Sequence, residues 1–229
     1  MRTLLIETAT QVCSVAVAEN GRIVAHRESN EPNAHSSHLA PFVEEMLAEL
    51  GITTKDLDAV GVSSGPGSYT GLRIGVSSAK GFCYALGKPL VAVPTLQSMA
   101  SLYYRQHPDY NGMVCPMIDA RRMECYTAFF GPNGMLRDTQ ADIITDGIYD
   151  EYLGRGEVVF VGDGASKCHD VLGKHPNARF DEAFRPSAEG MAEEVEKKLE
   201  RGETEDVAYF EPFYLKDFVA KKSVVHGLR

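Results

Sequence analysis

The chain has 229 residues, 44% of them hydrophobic, enough for one large domain or two small lobes that each bury a core. Acidic residues outnumber basic ones, 32 to 23, for a formal net charge of -9, which argues against unaided nucleic-acid binding through a broad basic face. Cys13, Cys83, Cys115, Cys125 and Cys168 form no CxxC pair, and no apolar run approaches the ~18 residues of a membrane span, which argues against a zinc ribbon, a disulfide framework and a membrane anchor.

In chain order, the apolar run before Glu7 is too short for a signal peptide, so the chain reads as reduced, soluble and cytoplasmic. Thr3–Ile6 and Val12–Ala18 are β-rich, and Asn20-Gly21 is a hairpin signal before Ile23–Ala25, which predicts three antiparallel strands. The polar stretch Arg27–Ser37 leads to a helix with Leu39, Phe42, Val43, Met46, Leu47 and Leu50 at apolar spacing, ended by Gly51. Pro41 lacks an N–H and belongs in a first turn, so that helix starts near Ser37 or His38 with His35 at its mouth. Leu57–Ser63 reads as a buried parallel strand broken by Gly65-Pro66-Gly67. Ser68 is the predicted N-cap of a helix to Leu86, with Gly87 beyond it. The strand Lys88–Val93 completes a βαβ unit, and a helix follows near Gln97–Arg105.

The opening pattern then returns. Met117-Ile118-Asp119 resembles Leu5-Ile6-Glu7, Cys13 and Cys125 stand six residues beyond each carboxylate, and Ala16 and Ala128 nine beyond. Asn20-Gly21 and Asn133-Gly134 close the two copies, with one residue inserted in the second. A carboxylate turn inside a repeated three-stranded meander predicts an internal duplication. The strand Val158–Val161, the turn Gly162-Asp163-Gly164 and a helix from about Ser187 to Arg201 complete a second lobe. Glu189, Glu193 and Glu194 near that helix's start and Lys197, Lys198 and Arg201 near its end suit its dipole. The expectation is an α/β fold of two facing lobes, residues 1–105 and 106–212, with the segment 213–229 packed back on the first.

Four stretches carry a resemblance that covers nearly the whole chain: Leu4–Thr10, Ser63–Met99 with its GPGSYTGLRIG core, MIDARRMECYTA (Met117–Ala128) and PFYLKDFVAKK (Pro212–Lys222). They resemble the TsaB (YeaZ) family. The resemblance implies two duplicated RNase H-like lobes of the actin, Hsp70 and sugar-kinase superfamily. It implies a non-catalytic subunit that binds and activates TsaD, which transfers the threonylcarbamoyl group to the adenosine next to the anticodon in tRNAs reading ANN codons. TsaE is then a further partner, tRNA is met only through the complex, and the chain alone pairs as a homodimer. ATP and a metal belong to the partner subunits, leaving room for weak nucleotide binding here. The rival reading, from another class, is an independent ATPase or small-molecule kinase of the same fold. A metallopeptidase lacks its HExxH motif.

The turns Glu7-Thr8-Ala9-Thr10 and Asp119-Ala120-Arg121-Arg122 occupy the places where actin-like ATPases approach nucleotide phosphates. Neither contains the glycine that lets backbone near a phosphate. Glu7, Thr8, Thr10, Asp119, Arg121, Gly162 and Gly164 are therefore expected to face a vestigial cleft. Gly65-Pro66-Gly67-Ser68 either cradles an anion or makes a tight strand-to-helix turn, and no Walker A loop is present. By motif position, the two metal-binding histidines of TsaD fall on Thr95 and Met99, which cannot replace imidazole, so no catalytic or metal residue is expected. His35 and His38 have no apparent third ligand. Gly71, Gly75 and Ala79 lie four apart, flanked by Ser78 and Phe82, and such small residues let another helix approach closely. These stripes face either their own sheet or a partner, and the resemblance implies the partner. The expected interface is His35, His38, Leu39, Phe42, Met46, Tyr69, Gly71, Leu72, Gly75, Ser78, Ala79 and Phe82. On that reading, Gly75→Leu abolishes TsaD binding and leaves the monomer folded.

Overall fold

Two sets of five strands with the same connectivity organise residues 1–216, the part of the chain that the computed structural model describes. In the first, β1 (Arg2–Glu7), β2 (Cys13–Glu19) and β3 (Arg22–Ser29) form an antiparallel meander. Parallel to β1 come β4 (Ala59–Ser63) and β5 (Leu90–Val93), giving the order β3-β2-β1-β4-β5. In the second, β6 (Met113–Asp119), β7 (Glu124–Gly131), β8 (Gly134–Ile143), β9 (Val158–Val161) and β10 (Ala178–Asp181) repeat it as β8-β7-β6-β9-β10. The duplicated lobes expected from the sequence are thus present as a duplicated topology. β3 runs past the predicted Ala25 because Glu28 and Ser29 still pair with Ser14 and Cys13.

The single-residue matches are less regular than the topology. Glu7 stands opposite Ser14, whereas Asp119 stands opposite Cys125, so the two meanders differ in register by one residue. A one-residue offset flips a side chain to the other face of its sheet. Cys13 accordingly packs with Leu4 and Ile6, while Cys125 packs with Met117. The matched cysteines are therefore not structural equivalents.

Helices α1 (Ala34–Ser37), α2 (Leu39–Leu50) and α3 (Tyr69–Leu86) belong to one face of the first sheet. Val43 and Met46 of α2 and Val76, Ala79 and Cys83 of α3 bury there against Leu4, Val15 and Val60. His38 ends α1 and begins α2, so His35 lies inside a short helical turn rather than at a helix mouth. Ser68 caps α3, its hydroxyl oxygen accepting the Gly71 N–H at 3.2 Å, and Gly87 ends it at φ 62°. Next, α4 (Thr95–Gln106) leads to the second lobe, where α5 (Asp150–Leu153) and α6 (His169–Leu172) pack with Phe129, Phe160 and Cys168.

The predicted helix 187–201 is a 3₁₀ turn, Ala188–Met191, followed by α7 (Ala192–Glu200), and both pack on the other face of the first sheet. The expected lobe boundary at 212 is corrected by this contact. The physical reason is a face of small residues, Ala16, Ala18 and Gly61, which leaves room for Val195; a Cβ on Gly61 would lie 2.6 Å from Val195 Cγ2. The chain stays on that lobe afterwards: Glu205 bridges Leu90, and Lys80 Nζ donates to the Ala208 and Phe210 carbonyls at 3.2 and 2.8 Å. Of the segment expected to pack back on the first lobe, Phe213 does so through its N–H to the Ser64 carbonyl at 2.7 Å. Residues 217–229 lie outside the described residues.

The second lobe holds one largely buried ion pair. Arg137 donates to Asp142 and Thr127, the Tyr149 hydroxyl donates to Asp142 at 2.7 Å, and the guanidinium lies over the Phe129 and Tyr149 rings. Burial pushes the Asp142 carboxyl up, but hydrogen bonds from Thr127, Arg137 and Tyr149 prevail and hold it below the usual range. Removing one partner would leave the other charge uncompensated. Asp142→Asn is expected to lower unfolding free energy by about 3–5 kcal/mol, measured by urea denaturation at neutral pH.

Candidate functional site

The glycines of the GPGSYTGLRIG stretch are explained by close packing. The Ser68 N–H donates to the Ala9 carbonyl at 2.6 Å, and a Cβ on Gly67 would lie 2.4 Å from that same oxygen. A Cβ on Gly71 would lie 2.1 Å from the Thr8 carbonyl oxygen, and one on Gly75 would lie 2.1 Å from Thr8 Oγ1. The Thr8 hydroxyl itself donates to the Gly71 carbonyl at 2.8 Å. With Ser68 N–H committed to Ala9 and Gly71 N–H to the cap, the start of α3 fits the tight strand-to-helix turn better than the anion cradle.

The two carboxylate turns share one device. Glu7 Oε1 accepts the Ala9 N–H at 2.6 Å and Asp119 Oδ1 accepts the Arg121 N–H at 2.8 Å, each carboxylate bonding the amide two residues on. Their surroundings differ. Asp119 is exposed and also accepts from Lys167, whereas Glu7 is fully buried, with the Ser63 hydroxyl on Oε1 at 2.9 Å and no partner on Oε2 among the described residues. Burial outweighs those hydrogen bonds and pushes Glu7 up to about 7. In the second turn, Arg121 (φ 73°) and Arg122 (φ 52°) hold the left-handed backbone that glycine would take without strain. The turn thus keeps its shape although its residues carry side chains.

A cleft of about 1000 Å³ lies between the lobes. Ala9, Thr10, His35 and Ser68–Thr70 border it from the first lobe, and Asp119, Arg121, Tyr126 and Asp163 from the second. Of the residues expected to face it, Thr10, Asp119 and Arg121 do. Glu7 and Thr8 are buried, and Gly162 and Gly164 pack against Met117 and Cys125, so these four are corrected from cleft-facing to supporting positions. The sequence reading missed one wall, the segment Phe213–Lys216. Tyr214 stacks obliquely on Tyr69 at 4.9 Å, and Lys216 reaches Glu124 and the Tyr126 ring. Its only signal was the family-like string Pro212–Lys222, which no periodicity marks.

Thr95 and Met99 are buried in packing roles. Thr95 Oγ1 accepts the Gly65 N–H at 3.0 Å, and Met99 Cε lies 2.6 Å from where a Gly162 Cβ would stand. His35 borders the cleft, where burial holds its imidazole below the ordinary value against the opposing pull of the Thr10 and Val12 backbone. His38 instead stacks obliquely on Phe42 at 5.3 Å, so the two histidines do not converge. A Ser–His–Glu arrangement occurs elsewhere: His26 Nε2 lies 3.2 Å from Ser14 Oγ and 3.4 Å from Ser187 Oγ, and its Nδ1 lies 3.9 Å from Glu189 Oε1. Both serines are buried and accept backbone N–H groups of the 3₁₀ turn, from Ala188 and Glu189 respectively. That arrangement is a fastening, with the histidine–glutamate distance too long for a hydrogen bond.

The expected helix interface is half corrected. Leu39, Met46, Gly71, Leu72, Gly75 and Ala79 are buried within their own lobe, the glycines because Thr8 occupies the space that their side chains would need. His38, Phe42, Tyr69, Ser78 and Phe82 are half-buried. The outward face of α3 is instead Thr70, Arg73, Ser77, Gly81 and Tyr84, with Tyr84 87% exposed and nothing within 4 Å of a Gly81 Cβ. Small residues therefore do line an open face, on nearly the opposite side of the helix from the predicted one.

The family model for TsaD, tRNA N6-adenosine threonylcarbamoyltransferase, matches residues 23–224. The tRNA threonylcarbamoyladenosine biosynthesis protein TsaB of Escherichia coli (strain K12) is 35% identical over 233 residues, covering 98% of each chain. The solved structure of YeaZ from Pseudomonas aeruginosa superposes with a TM-score of 0.74 at 26% identity, over 93% of this chain and 99% of that one. A Clostridium difficile activator of 2-hydroxyisocaproyl-CoA dehydratase, solved with ADPNP, shares the fold at a TM-score of 0.52 and 12% identity, over 88% of this chain and 98% of that one.

Two outcomes are expected. Gly75→Ala should cost about 1–3 kcal/mol in urea unfolding, and Gly75→Leu should prevent the first lobe from folding, in place of the folded monomer expected from sequence. The Glu7 carboxyl titrates near 4.5 when unfolded and near 7 when folded. Between those values the folded state keeps a proton that the unfolded state has lost, so this contribution is complete at low pH and vanishes as pH rises through 7. Unfolding free energy should fall by on the order of 3 kcal/mol at most between about pH 5 and about pH 8, and Glu7→Gln should flatten that fall.

Proposed function

The chain belongs to the TsaB family of tRNA threonylcarbamoyladenosine biosynthesis proteins, and we propose that it serves that pathway as a non-catalytic subunit that binds and activates TsaD. The observation that carries this reading is the occupancy of the two positions that correspond to the transferase's metal histidines. Thr95 and Met99 are committed to holding Gly65 and the Gly162 turn, so the chain uses them for packing. ATP and metal chemistry then reside in TsaD and TsaE.

The contact surface in this reading is the outward face of α3 with its half-buried margin. Ser77 and Gly81 allow a partner helix to come close by dispersion contact, Tyr84 supplies a large exposed anchor, and the half-buried His38 and Phe42 are further candidates on α2. Alone, two copies of the chain pair through the same face. The net charge of -9 favours tRNA contact through the partner rather than through this chain. One observation favours a second reading, an independent ATPase or small-molecule kinase: the cleft is roomy, with Arg121 and the start of α3 at its border.

Complex formation with the cognate TsaD, followed by analytical ultracentrifugation, separates the two. Ser77→Arg combined with Gly81→Arg should weaken the complex at least about tenfold without lowering the melting temperature. Unchanged affinity would remove the proposed face. ATP turnover by this chain alone, lost in Asp119→Ala, would replace the scaffold reading with the enzyme.

A further inference from the structure

Beneath the turns that border the cleft, the second lobe holds two thiols in contact. Cys125 and Cys168 are fully buried, and their sulfurs stand 3.6 Å apart. Both lie within reach of one acceptor, the Gly164 carbonyl, at 3.5 and 3.2 Å respectively. Gly164 permits this crowding, because a Cβ there would lie 3.0 Å from Cys125 Sγ. A cation stands beside the pair: Lys167 donates to the Asp119 carboxylate and, at 2.7 Å, to the Glu124 carbonyl. Cys13 and Cys83, by contrast, are buried as small hydrophobes in the core of the first lobe, the Cys83 thiol donating to the Pro89 carbonyl at 3.5 Å.

We propose that Cys125 and Cys168 form a dithiol–disulfide modification site, oxidised by a small peroxide and mechanically joined to the cleft turns. The Cys168 thiolate attacks one peroxide oxygen, giving a sulfenic acid and hydroxide, which takes up the proton that the thiol had lost. The Cys125 thiol then attacks the sulfenic sulfur, forming the S–S bond and releasing a second water. Two thiols and one peroxide become one disulfide and two waters, the sulfurs losing two electrons and the peroxide gaining them. Excess small-molecule thiol reverses the reaction by exchange and leaves as its own disulfide. The division of roles follows the surroundings. The hydrogen bond from Cys125, helped by Lys167, holds Cys168 below the ordinary thiol range, while the same bond and burial raise Cys125.

Access comes from local opening. Cys168 ends a three-residue 3₁₀ turn, Ser166–Cys168, and precedes the four residues of α6, short elements that open at low cost. An S–S bond of about 2.05 Å requires the sulfurs to close by roughly 1.5 Å. That draws Ser166–Cys168 toward β7, takes the thiols out of reach of the Gly164 carbonyl, and moves Lys167 relative to Asp119.

Peptide mapping of the full chain tests this. After hydrogen peroxide treatment and alkylation in denaturant without reductant, a Cys125–Cys168 linked peptide is expected, reversed by dithiothreitol, with Cys13 and Cys83 alkylated as before. Cys125→Ser should leave a sulfenic acid at Cys168 that dimedone traps, and hydrogen exchange over residues 162–168 should differ between the reduced and linked forms. If that variant fails to fold, mapping of the unmodified sequence alone decides. Full alkylation of both cysteines, at a peroxide dose that oxidises the exposed Met135, overturns the proposal, as does any other linked pair. A linked pair with unchanged exchange over 162–168 overturns the connection to the cleft.

Discussion

The seating of α3 on the β1–β2 turn is the constraint from which most of the first lobe follows. Gly67, Gly71 and Gly75 recur every four residues because the turn before the helix passes over Ala9 and the first helical turns pass over Thr8, at distances that exclude a Cβ. With the helix fixed at that height, Val76, Ala79 and Cys83 reach the sheet, and the opposite side of the helix carries Thr70, Arg73, Ser77, Gly81 and Tyr84. The same contact explains why the helix start has few amides to spare for an anion: Ala9 and the Ser68 cap already take them.

The sequence made the two-lobe architecture legible because hydrophobic period, Asn-Gly turns and glycine breaks are local signals. It also placed the α3 caps correctly, since Ser68 and Gly87 act within one turn of themselves. What it could not show was which neighbour a small residue accommodates. Gly71 and Gly75 suit a partner helix and a threonine carbonyl equally well as letters, and only the tertiary position of Thr8 decides between them. The allegiance of α7 was hidden for the same reason: the small residues that receive it, Ala16 and Gly61, lie far back in the chain. The candidate site was legible at Thr10, Asp119 and Arg121, while Glu7 was identified as a carboxylate without its burial.

The two carboxylate turns show how one inherited shape is sustained by different means. Glu7 and Asp119 bond the amide two residues ahead in the same way. In the first lobe the turn is held from above by α3 and hidden from water. In the second it stays exposed, tolerates two strained arginines and is braced by Lys167. The first turn has become part of a core, and the second still borders open space.

The chain that follows α7 adds a mechanical element. Phe213 is tied to Ser64 in the first lobe, and three residues later Lys216 is paired with Glu124 in the second. Extended chain advances about 3.3 Å per residue, so roughly 10 Å of backbone links the anchors between the lobes. The two knots are unequal: one is a backbone bond beside a buried glycine, the other a partly exposed ion pair of the kind that contributes about 0–1 kcal/mol. The segment therefore spans the cleft border with a firm backbone anchor on the first lobe and a weaker ionic one on the second, and the two lobes share a covalent strap whose ends differ in strength.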